Sequence, residues 1–160
     1  MSIPLLLTLA EYHTLLDAAA KNPAIVIPSE LDFVPGPGDD LPGDDLESMI
    51  WVIIYAIMLH HHDSLRGSDK ADYKCGVVDQ FYGSLSYSGL AEKRTAMVFH
   101  ISNPRFRGLD RWIPDPVQRE WYKRAMALVA GQNMSGHDGS IEPITFDTFD
   151  ALCDEFITDA

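Results

Sequence analysis

Between Gly43 and Asp63 the chain reads GDDLESMIWVIIYAIMLHHHD, and from Leu46 to Leu59 only Glu47 and Ser48, near the start, are polar. A helix that is apolar on nearly every side has to be enclosed, either by a packed domain or by lipid. The run falls short of the roughly 18 to 20 residues that a bilayer requires, so residues 46–59 read as the buried central helix of a core. Asp44 and Asp45 open it, where unpaired amides and the helix dipole favour a carboxylate. His60, His61 and His62 close it, at the end that favours positive charge.

The rest of the chain can build a domain around such a rod. Its 160 residues suit one domain or one lobe of something larger, and 46% are hydrophobic, which is enough to bury a real core. The formal net charge of −12 repels phosphate backbones and anionic lipid heads, which argues against nucleic-acid and membrane-surface binding. Cys75 and Cys153 are too few and too far apart for a disulfide framework, so they read as reduced thiols of a cytoplasmic or nuclear protein. The N-terminal IPLLLTLA has no basic residue before it and Glu11 follows directly, a poor secretory signal. Asn133-Met134-Ser135 fits a glycosylation sequon and, without such a signal, reads as chance.

Helical spacing of Leu5, Leu9, Tyr12, Leu16 and Ala19 predicts a helix over about 4–20, with Ser2 as cap and Pro4 in the first turn. AIVIP then reads as a short extended piece and FVPGPGDDLPG as a loop. A polar linker is expected from Ser64 to Lys74, then helices near 75–82, 87–99, 116–131 and 145–157. The last has Thr145 as cap and Phe146, Phe149, Leu152, Cys153 and Phe156 as an apolar stripe. NMSGHDGS reads as a loop, and no strand alternation stands out. The expected class is mainly α.

Asp44-Asp45-Leu46-Glu47-Ser48 followed by an apolar helix resembles the start of the central C-lobe helix of protein kinases, and most closely that of the fungal-type protein kinase family, where Asp-Leu-Glu-Ser precedes a run such as Trp51-Val52-Ile53-Ile54-Tyr55. DQFYGSLSYSGLAEKRTAMVF, from Asp79 to Phe99, resembles that family's downstream segment, with Ala91, Lys93 and Arg94 on a helix. MSIPLLL resembles the segment just after the activation loop. Together these cover most of residues 1–100, with 101–160 as a helical tail of the same lobe. The resemblance implies a partial protein kinase-like fold: a single helical C-terminal lobe over residues 1–160, without an N-lobe. It implies that Asp45 is a structural anchor, accepting backbone amides of a catalytic loop. It also implies that Pro4 stands where the family carries a glutamate, leaving Arg105, Arg107 or Arg111 without its usual ionic partner.

Phosphoryl transfer needs a glycine-rich loop, a strand lysine, an His-Arg-Asp-type catalytic loop and an Asp-Phe-Gly-type metal site. GPGDDLPG has the wrong spacing for the first, and Leu31-Asp32-Phe33-Val34 comes nearest to the last but lies downstream of where it belongs. The resemblance thus implies the family's ATP-dependent phosphorylation of protein Ser/Thr with ATP and Mg, while the chain holds no catalytic, cofactor-binding or metal residue of its own and is expected to be incompetent alone. Its expected partner is another protein or a chain that supplies the missing half. The alternative is a non-catalytic interaction or adaptor module.

Other constellations compete weakly. Consecutive helix residues point about 100° apart, so His60-His61-His62-Asp63 cannot converge on one ion, and nothing in the sequence brings His100 or His137 to them. YGSLSYSG lacks the spacing of a hydrolase nucleophile elbow. WIPDPVQREWYKRAMALV sets Trp112, Trp121 and Tyr122 beside Arg111, Arg119, Lys123 and Arg124. It reads as an amphipathic helix docking Trp121, Ala125 and Leu128 on the core, or as a possible partner face made of Trp112, Trp121 and Tyr122.

Overall fold

A computed structural model describes residues 2–22, 42–83, 86–102, 108–133 and 141–158. The expected extended piece and loop before Pro42, and most of NMSGHDGS, lie outside these residues. Within them the chain is mainly α, with no strand. The elements are α1 (Ile3–Lys21), α2 (Pro42–Ser64), α3 (Gly67–Tyr73), a π-helical turn (Lys74–Val78), α4 (Asp79–Tyr82), α5 (Tyr87–Ser102), α6 (Leu109–Trp112), α7 (Pro116–Asn133) and α8 (Phe146–Thr158).

The opening stretch does form the axis of the core. At 23 residues, α2 is the longest described helix, roughly 35 Å at 1.5 Å per residue. Leu46, Ile50, Trp51, Ile54, Ile57 and Met58 are buried on it. Helices α7 and α8, α3 and the π-turn pack along it, while α1 lies against α5, which in turn lies against α7. The core joins these α2 residues to Phe81, Met97, Val98, Ile113, Trp121, Tyr122, Met126, Val129 and Leu152.

The burial of α2 is one-sided, which corrects the expectation of a helix enclosed all round. Met49 and Val52 are 50% and 65% exposed, and Tyr55 is also exposed. Apolar composition says that a face can be buried, but the neighbours decide whether it is.

Boundaries elsewhere shift for local reasons. The polar stretch expected to be a linker forms α3 after Gly67, whose φ of 59° turns the chain where a side chain would be strained. The π-turn then inserts before α4, so what read as one helix over 75–82 is two pieces joined by wider backbone bonding. Thr145 caps α8 as expected: its Oγ1 accepts from the Thr148 amide at 3.3 Å and its carbonyl from the Phe149 amide at 3.0 Å. Of the stripe on α8, Leu152 is buried and Phe149 and Cys153 are half-buried, but Phe146 is 69% exposed. It sits in the first turn, ahead of the part of the helix that meets the core.

Trp121 and Tyr122 are core residues, and Trp112 is half-buried with its ring edge-on to Phe81 at 4.7 Å. The aromatic part of the candidate partner face therefore points inward, and the exposed side of α7 is carried by Glu120, Lys123 and Arg124. The Tyr122 hydroxyl has no hydrogen-bond partner among the described residues, although the residue is 0% exposed. A buried donor left unpaired is a penalty that a phenyl ring avoids. Tyr122→Phe is expected to leave stability unchanged or raise it by up to about 1 kcal/mol, whereas Ile54→Ala lowers it by about 2–5 kcal/mol. Urea unfolding followed by circular dichroism measures both; a clear loss in Tyr122→Phe would reveal a partner for that hydroxyl.

Candidate functional site

One turn into α2, the carboxylate of Glu47 is 0% exposed. Its Oε1 accepts from the Ile3 amide and from the Trp51 indole Nε1, both at 2.9 Å. Its Oε2 accepts from Asn133 Nδ2 at 2.9 Å and from Gln132 Nε2 at 3.2 Å. A carboxylate offers about four lone-pair sites, and all are met. The donors come from the start of α1, from α2 itself and from the end of α7, residues 44 to 86 positions apart apart from the local Trp51 contact.

Each donor is placed by something further out. Helical geometry stacks Trp51, four residues on, over Glu47. Asn133 Nδ2 also donates to the Val129 carbonyl at 2.9 Å, and Gln132 Oε1 accepts from the Ile144 amide at 3.1 Å. A Cβ on Gly43 would land on Gln132 Oε1, so a larger residue there would have to push that carboxamide aside from Glu47 and the Ile144 amide. On the outer side, the buried Arg94 guanidinium of α5 lies over the Trp51 ring, 4.8 Å from its centroid, and 5.9 Å from the Tyr82 ring. Tyr82 donates to the Trp51 carbonyl at 3.1 Å. Burial pushes the Arg94 pKa down, while Tyr82 and Glu47 hold it up.

Asp45, the expected anchor, stands on the exposed side of the first turn of α2. The acid that tethers neighbouring main chain within the described residues is Glu47, and the amide it holds is that of Ile3. Two features of the sequence point to it: it is an ionisable residue inside an otherwise apolar run, and a Trp follows at i+4. Its remaining donors, Gln132 and Asn133, lie too far along the chain for spacing to reveal. The sequon asparagine, Asn133, has its amide nitrogen committed to Glu47 and the Val129 carbonyl.

Beside this hub, Ile3, Leu7, Thr95, Val98, Phe99, Gln132 and Asn133 line a cavity of about 420 Å³. Its wall is apolar and its polar side groups include the two amides that serve Glu47. At the far end of α2, His62 Nδ1 and Lys70 Nζ both lie 3.1 Å from Asp63 Oδ1, and the His61 ring meets Tyr73 edge-on at 4.8 Å. Among the described residues no three His, Cys, Asp or Glu side chains form a metal-holding group, and no helix is long and apolar enough to cross a membrane. Cys75 is exposed and Cys153 half-buried, and both are free. Glu47, with every acceptor position filled, cross-links the three helices around it.

Comparison with protein-family models, with curated proteins and with solved structures returns no match.

The hub makes a graded prediction. Glu47→Ala removes the acceptor of four donors and is expected to destabilise by about 3–5 kcal/mol, and Glu47→Gln, which turns one oxygen into a donor facing donors, by about 1–3 kcal/mol. Asp45→Asn is expected to stay within about 0.5 kcal/mol. Urea midpoints that place Glu47→Gln level with Asp45→Asn would remove Glu47 from this role. A second expectation concerns alkaline pH. Burial pushes the Tyr73 phenol, which donates to the Trp112 carbonyl at 2.6 Å, from 10.0 up to about 12. The unfolded chain releases that proton first, so the contribution is whole below pH 10.0 and is lost as pH rises through about 12. Ultraviolet titration of Tyr73→Phe should lose one tyrosine's share of the late-ionising absorbance and keep that of Tyr82 and Tyr122, which burial also pushes up; an undiminished amplitude would assign the step to other tyrosines.

Proposed function

We propose that this chain is a kinase C-lobe-like helical module, akin to the fungal-type protein kinases, that works through association with other protein and does not transfer phosphate by itself. The observation that carries this reading is a convergence. Two of the three sequence segments that carry the resemblance join at one buried carboxylate, and the third packs over the Trp51 ring beside it. Ile3, from MSIPLLL, donates its amide to Glu47 of the Asp-Asp-Leu-Glu-Ser motif. Arg94, from the third segment, covers the Trp51 ring whose nitrogen donates to the same group. Segments far apart in sequence that resemble one family in order, and that also share one anchor, support a common scaffold.

The same geometry favours a non-catalytic role. Phosphoryl transfer is mostly positioning and charge stabilisation around a metal-bound nucleotide. The given sequence carries no glycine-rich phosphate loop and no His-Arg-Asp or Asp-Phe-Gly motif, and Glu47, the buried acid among the described residues, has no lone pair left for a metal. Asp45, exposed at the mouth of α2, keeps the free carboxylate that a loop from another chain could use. In that second reading the family's Ser/Thr phosphorylation, with ATP and Mg, belongs to the assembly.

Incubation of the purified chain with ATP, Mg and generic Ser/Thr protein substrates is expected to give no phosphate transfer above a no-protein control. Turnover that Asp45→Ala abolishes would overturn the non-catalytic assignment.

A further inference from the structure

Helices α1, α5 and α7 leave a recess beside the Glu47 hub, and the hub decides which groups face it. The cavity of about 420 Å³ lies within the size range of small-molecule sites. Its body is apolar, with Ile3 and Leu7 from α1 and Val98 and Phe99 from α5. Ile3 and Val98 are buried and form its floor, whereas Leu7 and Phe99, 48% and 60% exposed, form its rim. The polar part consists of Thr95 and, at the end of α7, Gln132 and Asn133.

The two carboxamides have no donors to spare. Asn133 Nδ2 donates to Glu47 Oε2 and to the Val129 carbonyl, both at 2.9 Å. Gln132 Nε2 donates to Glu47 Oε2 at 3.2 Å and to Asp44 Oδ1 at 3.4 Å. Each of these partners only accepts, so neither amide can flip without setting oxygen against oxygen. What they keep for a ligand is their oxygen side: Asn133 Oδ1, and the second lone pair of Gln132 Oε1, whose first takes the Ile144 amide. The Ile3 amide, the donor that the start of α1 could offer, is also spent on Glu47. The Thr95 hydroxyl can accept as well as donate. Behind these acceptors stand the carboxylates of Glu47 and Asp44, and the 18-residue α7 ends here with the negative pole of its dipole. Arg94 opposes them with one positive charge, its guanidinium turned onto the Trp51 ring. Two carboxylates and a helix C-terminus outweigh it, so the wall favours a ligand that donates and carries positive charge.

We infer that this cavity binds a small primary ammonium compound with an apolar body. Its alkyl or aryl part lies among Ile3, Leu7, Val98 and Phe99, and its nitrogen donates to the Asn133 and Gln132 side-chain oxygens and to the Thr95 hydroxyl. An ammonium group carries three donors and no acceptor, which matches three oxygens. A carboxylate of the same shape meets acceptors and like charge, and is rejected. The inference rests on the cavity and its hydrogen-bond inventory and stands apart from the kinase-like reading.

Titration of the full chain with phenethylammonium, followed by amide-correlation nuclear magnetic resonance, tests this. The expected result is saturable shifts at Leu7, Thr95, Phe99 and Asn133, with a Kd of about 0.1–1 mM. Hydrocinnamate, of similar size and opposite charge, binds at least about tenfold more weakly, a comparison that needs no variant. Leu7→Lys sets a cation at the rim and weakens ammonium binding about tenfold, with an unchanged helical spectrum because that position is already exposed. Thr95→Val, which keeps the shape and removes the hydroxyl, weakens it about threefold to tenfold. No saturable shift up to about 10 mM overturns the proposal, as does binding whose shifts lie elsewhere or that Leu7→Lys leaves unchanged. Hydrocinnamate that binds as tightly as the ammonium overturns the class of ligand.

Discussion

Glu47 gives up its hydration to sit one turn inside α2, and a bare carboxylate moved there loses several kcal/mol. That loss sets a demand which the rest of the chain has to meet with hydrogen-bond donors of fixed direction. It is met by neutral groups, an amide, an indole and two carboxamides, while the nearest buried cation, Arg94, is stacked on the Trp51 ring instead of bridged to the acid. Neutral donors suit a tether: each accepts only one geometry, and none can leave as a solvated ion. The start of α1, the head of α2 and the end of α7 are thereby held in one register. Apolar packing, which is non-directional, could not set that register alone.

This explains why the middle of α2 can be so plain. Ile50, Ile54, Ile57 and Met58 are interchangeable aliphatic bulk as far as direction is concerned. The rotation of the rod about its own axis is fixed by Glu47 and Trp51 at one end. At the other, the edge contact of His61 with Tyr73, and the bond from Tyr73 to the Trp112 carbonyl, hold the α3 and α6 segments. Once the rotation is set, Met49, Val52 and Ala56 must face outward, whatever their hydropathy.

Much of this was readable in the sequence, and the limits are physical. Periodicity located α1, α7 and α8 because their apolar positions recur at helical spacing, the unbroken apolar run located α2, and Thr145 declared itself as a cap. The sequence did not reveal which side of α2 would be covered, because Val52 and Ile54 look alike until neighbours are placed. The resemblance pointed to Asp45 at the helix mouth. It passed over Glu47, whose importance comes from Gln132 and Asn133, 85 and 86 positions away. Trp121 docked on the core as an amphipathic helix requires. Tyr122 followed it inward because consecutive positions on α7 both fall within the wide arc that meets α2 and α5.

The two faces of α2 obey different physics, and one constrains the other. On the inner face, directional bonds to Glu47 lock the helix at its head. On the outer face, Met49, Val52 and Ala56 remain in water, where each exposed apolar group is unfavourable by about 25 cal/mol per Å². A helix free to roll would turn part of that row into its own core and leave less polar residues paired. The Glu47 bonds forbid the roll, so the row stays outside and its apolar area can be removed from water only by another surface. A rod fixed at one end by a buried acid therefore presents a standing apolar edge.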